Sequence, residues 1–323
     1  MSAVESERDD YFFNTKIDSV DAWFIIEGTL GWDTTCVVPR NRVFFLSAET
    51  ARPSNFFYDT PGWEQYLSQF SGVHTPLQWN KPGSVITFPF LPWMINANHG
   101  PSLMDSNPRD VTFFRNLQSL PKERVLSVIC SNQTLTADHR TRYWFVTELK
   151  KHFGSRLDWF GNGVAPISQK WAGLAPYRYS IVLENQASSK ILTEKIQDAY
   201  LALTLPIYWG APEAATVFGR DALVPIQIND VQTAIAQIEQ ILEEDPYQRR
   251  LAALHRAKRV VTDELNFIRR IQRIVRDPHL PPQGEKERVQ IQPVSRFTPG
   301  KNATDLLRRS FSKFASLAEK WES

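Results

Sequence analysis

Residues 179–212 read YSIVLENQASSKILTEKIQDAYLALTLPIYWGAP, and the fold follows from how this stretch divides. Tyr179 to Leu183 is an apolar run rich in β-branched and aromatic residues, which suits a buried strand. Glu184 to Lys190 is a polar loop. Beyond it Ile196, Ala199, Tyr200 and Leu203 recur at spacings of three and four, one stripe of a helix that opens near Thr193, and Leu205 to Trp209 reads as a second buried strand. Strand, loop, helix and strand in so short a span predict a βαβ unit with parallel strands and a right-handed crossover. Its helix starts with Thr193, Glu194 and Lys195, where backbone N–H groups lack partners and the dipole favours an anion such as phosphate. The spacing alone leaves a second reading open, a capped helix whose first charges are simply solvated.

Moving outward, Arg124 to Cys130 (RVLSVIC) is a further buried strand, Ser131 to His139 a polar loop and Arg140 to His152 a helix with Tyr143, Phe145, Val146 and Leu149 as apolar positions. Leu157 to Gly161 supplies the next strand. Two βαβ units in succession predict a doubly wound parallel sheet. Their strand-to-helix loops share one edge, so Arg140 and Lys195 can converge on a diphosphate while Glu194 accepts hydrogen bonds from a ribose diol. Val231, Ile235, Ile238 and Leu242 mark another helix with Asp230 as its N-cap, and 247–276 continues as a basic helical stretch.

The first half reads less cleanly. Asp21 to Glu27 and Val43 to Leu46 are expected strands, Gly28 to Arg42 a loop between them and Gly62 to Phe70 a short helix. Ser47-Ala48-Glu49-Thr50 follows the second strand directly and puts a carboxylate, Glu49, at the edge where open α/β sheets place ligand residues. A shift to Asn, Gly, Pro and Ser over 96–109 marks a connection. The expected organisation is a first domain over 1–110, a second over 111–276 and a tail over 277–323. In that tail Pro278 to Gly300 is polar, and Ala303 to Trp321 is a basic amphipathic helix that can dock on its own protein, lie on an anionic membrane surface or meet a partner.

Composition excludes several classes. With 323 residues, 42% apolar and 12% aromatic, the chain has material for two cores. A formal net charge of +2 argues against a nucleic-acid binder. The N-terminus shows no signal-peptide pattern and no uncharged run is long enough to span a bilayer, so a soluble, cytoplasmic chain is expected, with the tail helix as its route to the inner membrane surface. Cys36 and Cys130 are widely separated and read as reduced core residues. There is no glycine-rich phosphate loop, GxSxG elbow, HExxH or Cys/His zinc spacing, and Asp105, Asp110 and Asp138 form no metal-binding pair.

The order and spacing of Glu184-Asn185, Leu192 to Ile196, Ala199-Tyr200 and Leu205 to Pro212 resemble the signature of the α-1,3/4-fucosyltransferase family, glycosyltransferase family 10, and most closely its bacterial members. Ser131-Asn132 leading to Arg140, Tyr143 and Trp144 resembles a second family segment. Arg42 to Glu49, with Pro53-Ser54-Asn55 after it and His74-Thr75-Pro76 further on, resembles the segment bearing the family's catalytic carboxylate. The resemblance implies a GT-B fold of two facing Rossmann-like domains with a C-terminal helical tail, the second domain holding GDP-fucose and the first a glycan acceptor. It implies Arg140 and Lys195 on the diphosphate, with Thr193 at the same helix start, Glu194 on the ribose, Glu184 and Asn185 near fucose and phosphates, and Glu49 as general base. Transfer would invert the anomeric centre without a divalent metal or other cofactor. Arg142 competes with Arg140 for the phosphate role, and Ile191 stands where bacterial relatives have a tyrosine, which keeps another GDP-hexose in view as donor. A non-catalytic nucleotide-sugar or glycan binder is the remaining alternative.

Overall fold

The computed structural model describes residues 9–12, 17–26, 33–48, 62–76, 83–96, 109–134 and 137–297. The chain divides into two compact units, one of residues 1–45, 56–73 and 281–323, the other of 46–55 and 74–280.

The second unit carries a five-stranded sheet. Tyr177–Leu183 pairs in parallel with Leu205–Trp209, Tyr179 opposite Leu205 and Leu183 opposite Trp209, as the βαβ reading requires. On its other side lies Arg124–Ile129, with Leu126 opposite Tyr179, and then Leu157–Phe160, while Val224–Pro225 closes the far edge beside Ile207 and Tyr208. Every one of these pairings is parallel. Tyr179, Ile181, Leu205 and Ile207 are buried, because helices cover such a sheet and its strands must be apolar on both sides. From Arg124–Ile129 the chain goes first to one side and then to the other, so the order reverses between that strand and Tyr177–Leu183. Open α/β sheets bind ligands at this switch point, outside the strands' C-terminal ends.

Two helices serve that point. Ala137–Phe153 buries His139, Arg142, Phe145, Val146, Leu149 and Phe153, a single helical stripe. Glu194–Leu201 follows Thr193, whose side chain accepts from Lys195 N as an N-cap. Asp230 caps Val231–Glu244 through Thr233 N, as expected. The basic stretch is not one helix. Tyr247–Arg259 runs into a π-helical turn at Val260–Glu264 and resumes as Phe267–Val275.

Four short strands, Trp23–Ile26, Val43–Leu46, Gly72–Thr75 and Ser84–Ile86, form a second sheet in that order. The expected loop at 28–42 contains a strand, Thr34–Pro39, and the expected polar tail contains its partner, Lys286–Ile291. They pair antiparallel, Cys36 opposite Val289. Cys36, Val38, Val289 and Ile291 are the buried positions, an alternation of period two. This pairing draws 281–297 into the first unit, and residues 46–55 and 74–110 group with the second, so the division differs from the one expected at 110 and 276. Cys36 and Cys130 are both free and buried. Among the described residues no helix is long and apolar enough to cross a membrane. The tail helix expected at Ala303 to Trp321 lies outside the described residues.

Candidate functional site at the sheet's switch point

Glu184 is the first residue beyond Tyr177–Leu183, so the strand delivers its carboxylate straight to the switch point. It is wholly buried and its N–H donates to Trp209 O. Oε1 accepts from Thr193 N at 2.9 Å and Oε2 from Thr193 Oγ1 at 2.6 Å, with Lys195 Nζ at 3.4 Å. The carboxylate thus straps the start of helix Glu194–Leu201 to the end of the strand, where the helix dipole and Lys195 offset its charge. Gly210 leaves it room. A Cβ there would lie 2.4 Å from Glu184 Cγ and 2.3 Å from Tyr208 Oη.

Lys195 also sits 3.1 Å from Thr193 Oγ1 and 3.6 Å from Glu194 Oε1, and remains partly exposed. Glu194 meets a second cation. Lys170 Nζ, nearly buried, lies 3.2 Å from Glu194 Oε1 and 2.8 Å from Asp198 Oδ2, while Asp198 Oδ1 accepts from Met94 N at 2.8 Å. Burial by itself would raise Glu194, but the charges of Lys195 and Lys170 override it and hold the carboxyl well below its usual range. Burial would likewise lower Lys170, and Asp198 with Glu194 instead holds it protonated. Asp198 is the group that gives way, pushed up to about 6 by burial against the pull of Lys170. Glu194 is therefore a fixed, ionised, acceptor-only carboxylate, which is what a vicinal diol needs.

The two arginines part company. Arg140 is exposed and donates to Thr134 O at 3.1 Å. Arg142 is buried, with Nη1 3.4 Å from Leu183 O, the carbonyl just before Glu184. Burial pushes the Cys130 thiol up while Arg142 and Lys195 both pull it down, so these two cations lie within electrostatic reach of the end of Arg124–Ile129. Glu184, Thr193, Glu194, Lys195 and Arg142 are thus brought together, with Asn185 half-buried next in the chain. Ile191 is buried in the same loop. Glu49 lies outside the described residues. Lys170 and Asp198 escaped the sequence reading. The available signal was Glu194 and Asp198 at i and i+4 on one helix face, a like-charge pair that calls for a cation.

No protein-family model matches the chain. A stretch of 60 residues, 19% of the chain, is 40% identical to the α-(1,3)-fucosyltransferase FucT of Helicobacter pylori, and the match spans 13% of that protein's length. Among solved structures, the crystal structure of an α1,3-fucosyltransferase is 22% identical with a TM-score of 0.43, the match covering 66% of each chain. Another, with GDP, is 19% identical with a TM-score of 0.43, covering 75% of this chain and 76% of that one. A third, with GDP-fucose, is 19% identical with a TM-score of 0.42, covering 65% and 68%.

Proposed function

We propose that the chain is a glycosyltransferase of the α-1,3-fucosyltransferase type, which moves fucose from GDP-fucose to a hydroxyl of a glycan with inversion at the anomeric carbon. The observation that carries this is the Glu184–Thr193–Lys195 cluster at the switch point, formed by residues of the same signature that resembles the family. The partial match to the Helicobacter pylori enzyme supports the same reading.

In this mechanism Lys195 and Arg142 face the diphosphate, and their fixed charge stabilises the leaving GDP as the glycosidic bond breaks. Cations already held by a buried carboxylate and a strand carbonyl need little reorganisation during the reaction. Glu194 accepts the ribose hydroxyls. Glu184 fixes the helix start, and Asn185 lies toward the sugar. Glu49 takes the proton from the acceptor hydroxyl as it attacks.

The test is GDP release from GDP-fucose in the presence of a panel of disaccharides. Turnover with GDP-fucose and not with other GDP-hexoses is expected, and Glu49→Gln should abolish it while leaving GDP affinity near wild type. Normal turnover by Glu49→Gln would remove Glu49 from the base role. Ile191 supports a second reading, transfer from another GDP-hexose, which the same donor panel decides.

A further inference from the structure

The basic stretch carries none of the donor-site residues named above. Its last helix instead lines a cavity of about 630 Å³ in the second unit, walled by Arg115, Arg269, Arg273 and Arg276 with Asp263, Gln272, Asp277 and Pro278. Four guanidinium groups thus stand against two carboxylates, and all four arginines are exposed to solvent. Arg115 is taken up by Asp263 at 2.7 Å. Arg269 donates to Gln272 Oε1 at 3.1 Å and Arg273 to Glu264 O at 3.0 Å, both neutral acceptors that orient a guanidinium without cancelling its charge.

The backbone behind the cavity is built for this. The π-helical turn Val260–Glu264 closes with Leu265 N donating to Val260 O, and it supplies both Asp263, which holds Arg115, and the Glu264 carbonyl, which holds Arg273. Such turns recur at functional sites. The excess charge is felt inside the protein as well. Arg270 is pushed down to about 9 by burial and by the charge of Arg273, although it donates to Pro89 O and Phe88 O and stacks 3.6 Å from the Phe90 ring centre.

We propose that this cavity is an anion site that takes a phosphate ester between Arg269, Arg273 and Arg276. Planar, pre-oriented guanidinium forks match the geometry of phosphate oxygens better than point charges do. The ester comes from a soluble sugar phosphate or from an anionic lipid headgroup, one chemistry with two sources.

The full-length chain is titrated with inorganic phosphate by calorimetry and sedimented with phosphatidylcholine vesicles made with and without phosphatidylglycerol. Wild type, Arg269→Glu/Arg273→Glu and the milder Arg269→Gln/Arg273→Gln are compared, with Lys151→Ala, an exposed cation late in helix Ala137–Phe153, as the control. Both paired variants are expected to weaken the response about tenfold or more, and Lys151→Ala to leave it unchanged. Response to phosphate alone assigns a soluble ester. Sedimentation with the phosphatidylglycerol vesicles only, lost in the paired variants, assigns a lipid headgroup. If wild type responds to neither probe, or the paired variants respond as wild type does, the site is refuted.

Discussion

Thr193 donates its hydroxyl to Glu184 Oε2 at 2.6 Å and its backbone N–H to Glu184 Oε1 at 2.9 Å, so one residue satisfies both oxygens of a wholly buried carboxylate. Removing the hydroxyl leaves Oε2 with only the longer contact from Lys195 Nζ at 3.4 Å and deletes the helix cap as well. Thr193→Val is therefore expected to cost about 2–4 kcal/mol of stability. Urea unfolding checks it, and an unshifted midpoint would show that the strap contributes nothing.

The division between the arginines yields a binding prediction. Arg142→Ala and Lys195→Ala should each weaken GDP binding by about 1.5–3 kcal/mol, the range for a charge-assisted contact, while Arg140→Ala stays within about 0.5 kcal/mol. Calorimetric titration with GDP measures all three. A larger loss at Arg140 than at Arg142 would return the phosphate role to the outward-facing residue.

Lys170 is the only cation within 4.0 Å of Asp198 among the described residues, and it holds Glu194 as well. Lys170→Met keeps the side-chain volume and leaves two buried carboxylates adjacent, at an expected cost of about 3–5 kcal/mol. The companion Lys170→Met/Asp198→Asn should recover much of that loss. No recovery would mean that packing, rather than charge, makes Lys170 necessary.

Acid sensitivity follows from two groups of opposite sign. His74 is pushed down to about 4 by burial and by the charge of Arg270, so the unfolded chain binds its proton first. Its contribution is present above the unfolded value of 6.5 and is lost as pH falls through 4, on the order of 3 kcal/mol in full. Asp198 is raised to about 6, so its contribution is present below the unfolded value of 3.8 and is lost as pH rises through 6. Between pH 4 and 6 the two oppose each other. Relative to wild type, stability should fall more steeply with rising pH in His74→Gln and rise more steeply in Asp198→Asn, read from urea midpoints across that window. Parallel profiles would contradict both assignments.

What was legible in the sequence was what local chemistry decides. Runs such as Tyr179 to Leu183 and Leu205 to Trp209 are apolar on both faces and stand as parallel core strands wherever they are placed, and Thr193 and Asp230 declare their helix starts by residue type. The choice between Arg140 and Arg142 was not made in the sequence reading, which favoured Arg140, although Arg142 shares the buried stripe of Phe145, Val146 and Leu149 and Arg140 does not. Pairing over long separations was not legible. Thr34–Pro39 and Lys286–Ile291 carry few buried apolar residues each, and only the partner strand makes either of them a strand. Lys170 is separated by 24 residues from the carboxylate it steadies, with no motif to link them.

That late pairing has a consequence for synthesis. Asn41 donates to Pro282 O beside the two-stranded ribbon, and 241 positions separate them. At ribosomal rates of about 5–20 residues per second, Thr34–Pro39 waits roughly 10–50 s for its partner. Throughout that interval its edge, with Cys36 and Val38, is open to other chains. The parallel sheet, encoded without interruption between Arg124 and Pro225, is complete long before. The two-stranded ribbon is thus the last pairing to close, and its early strand is a point of exposure in the nascent chain until then.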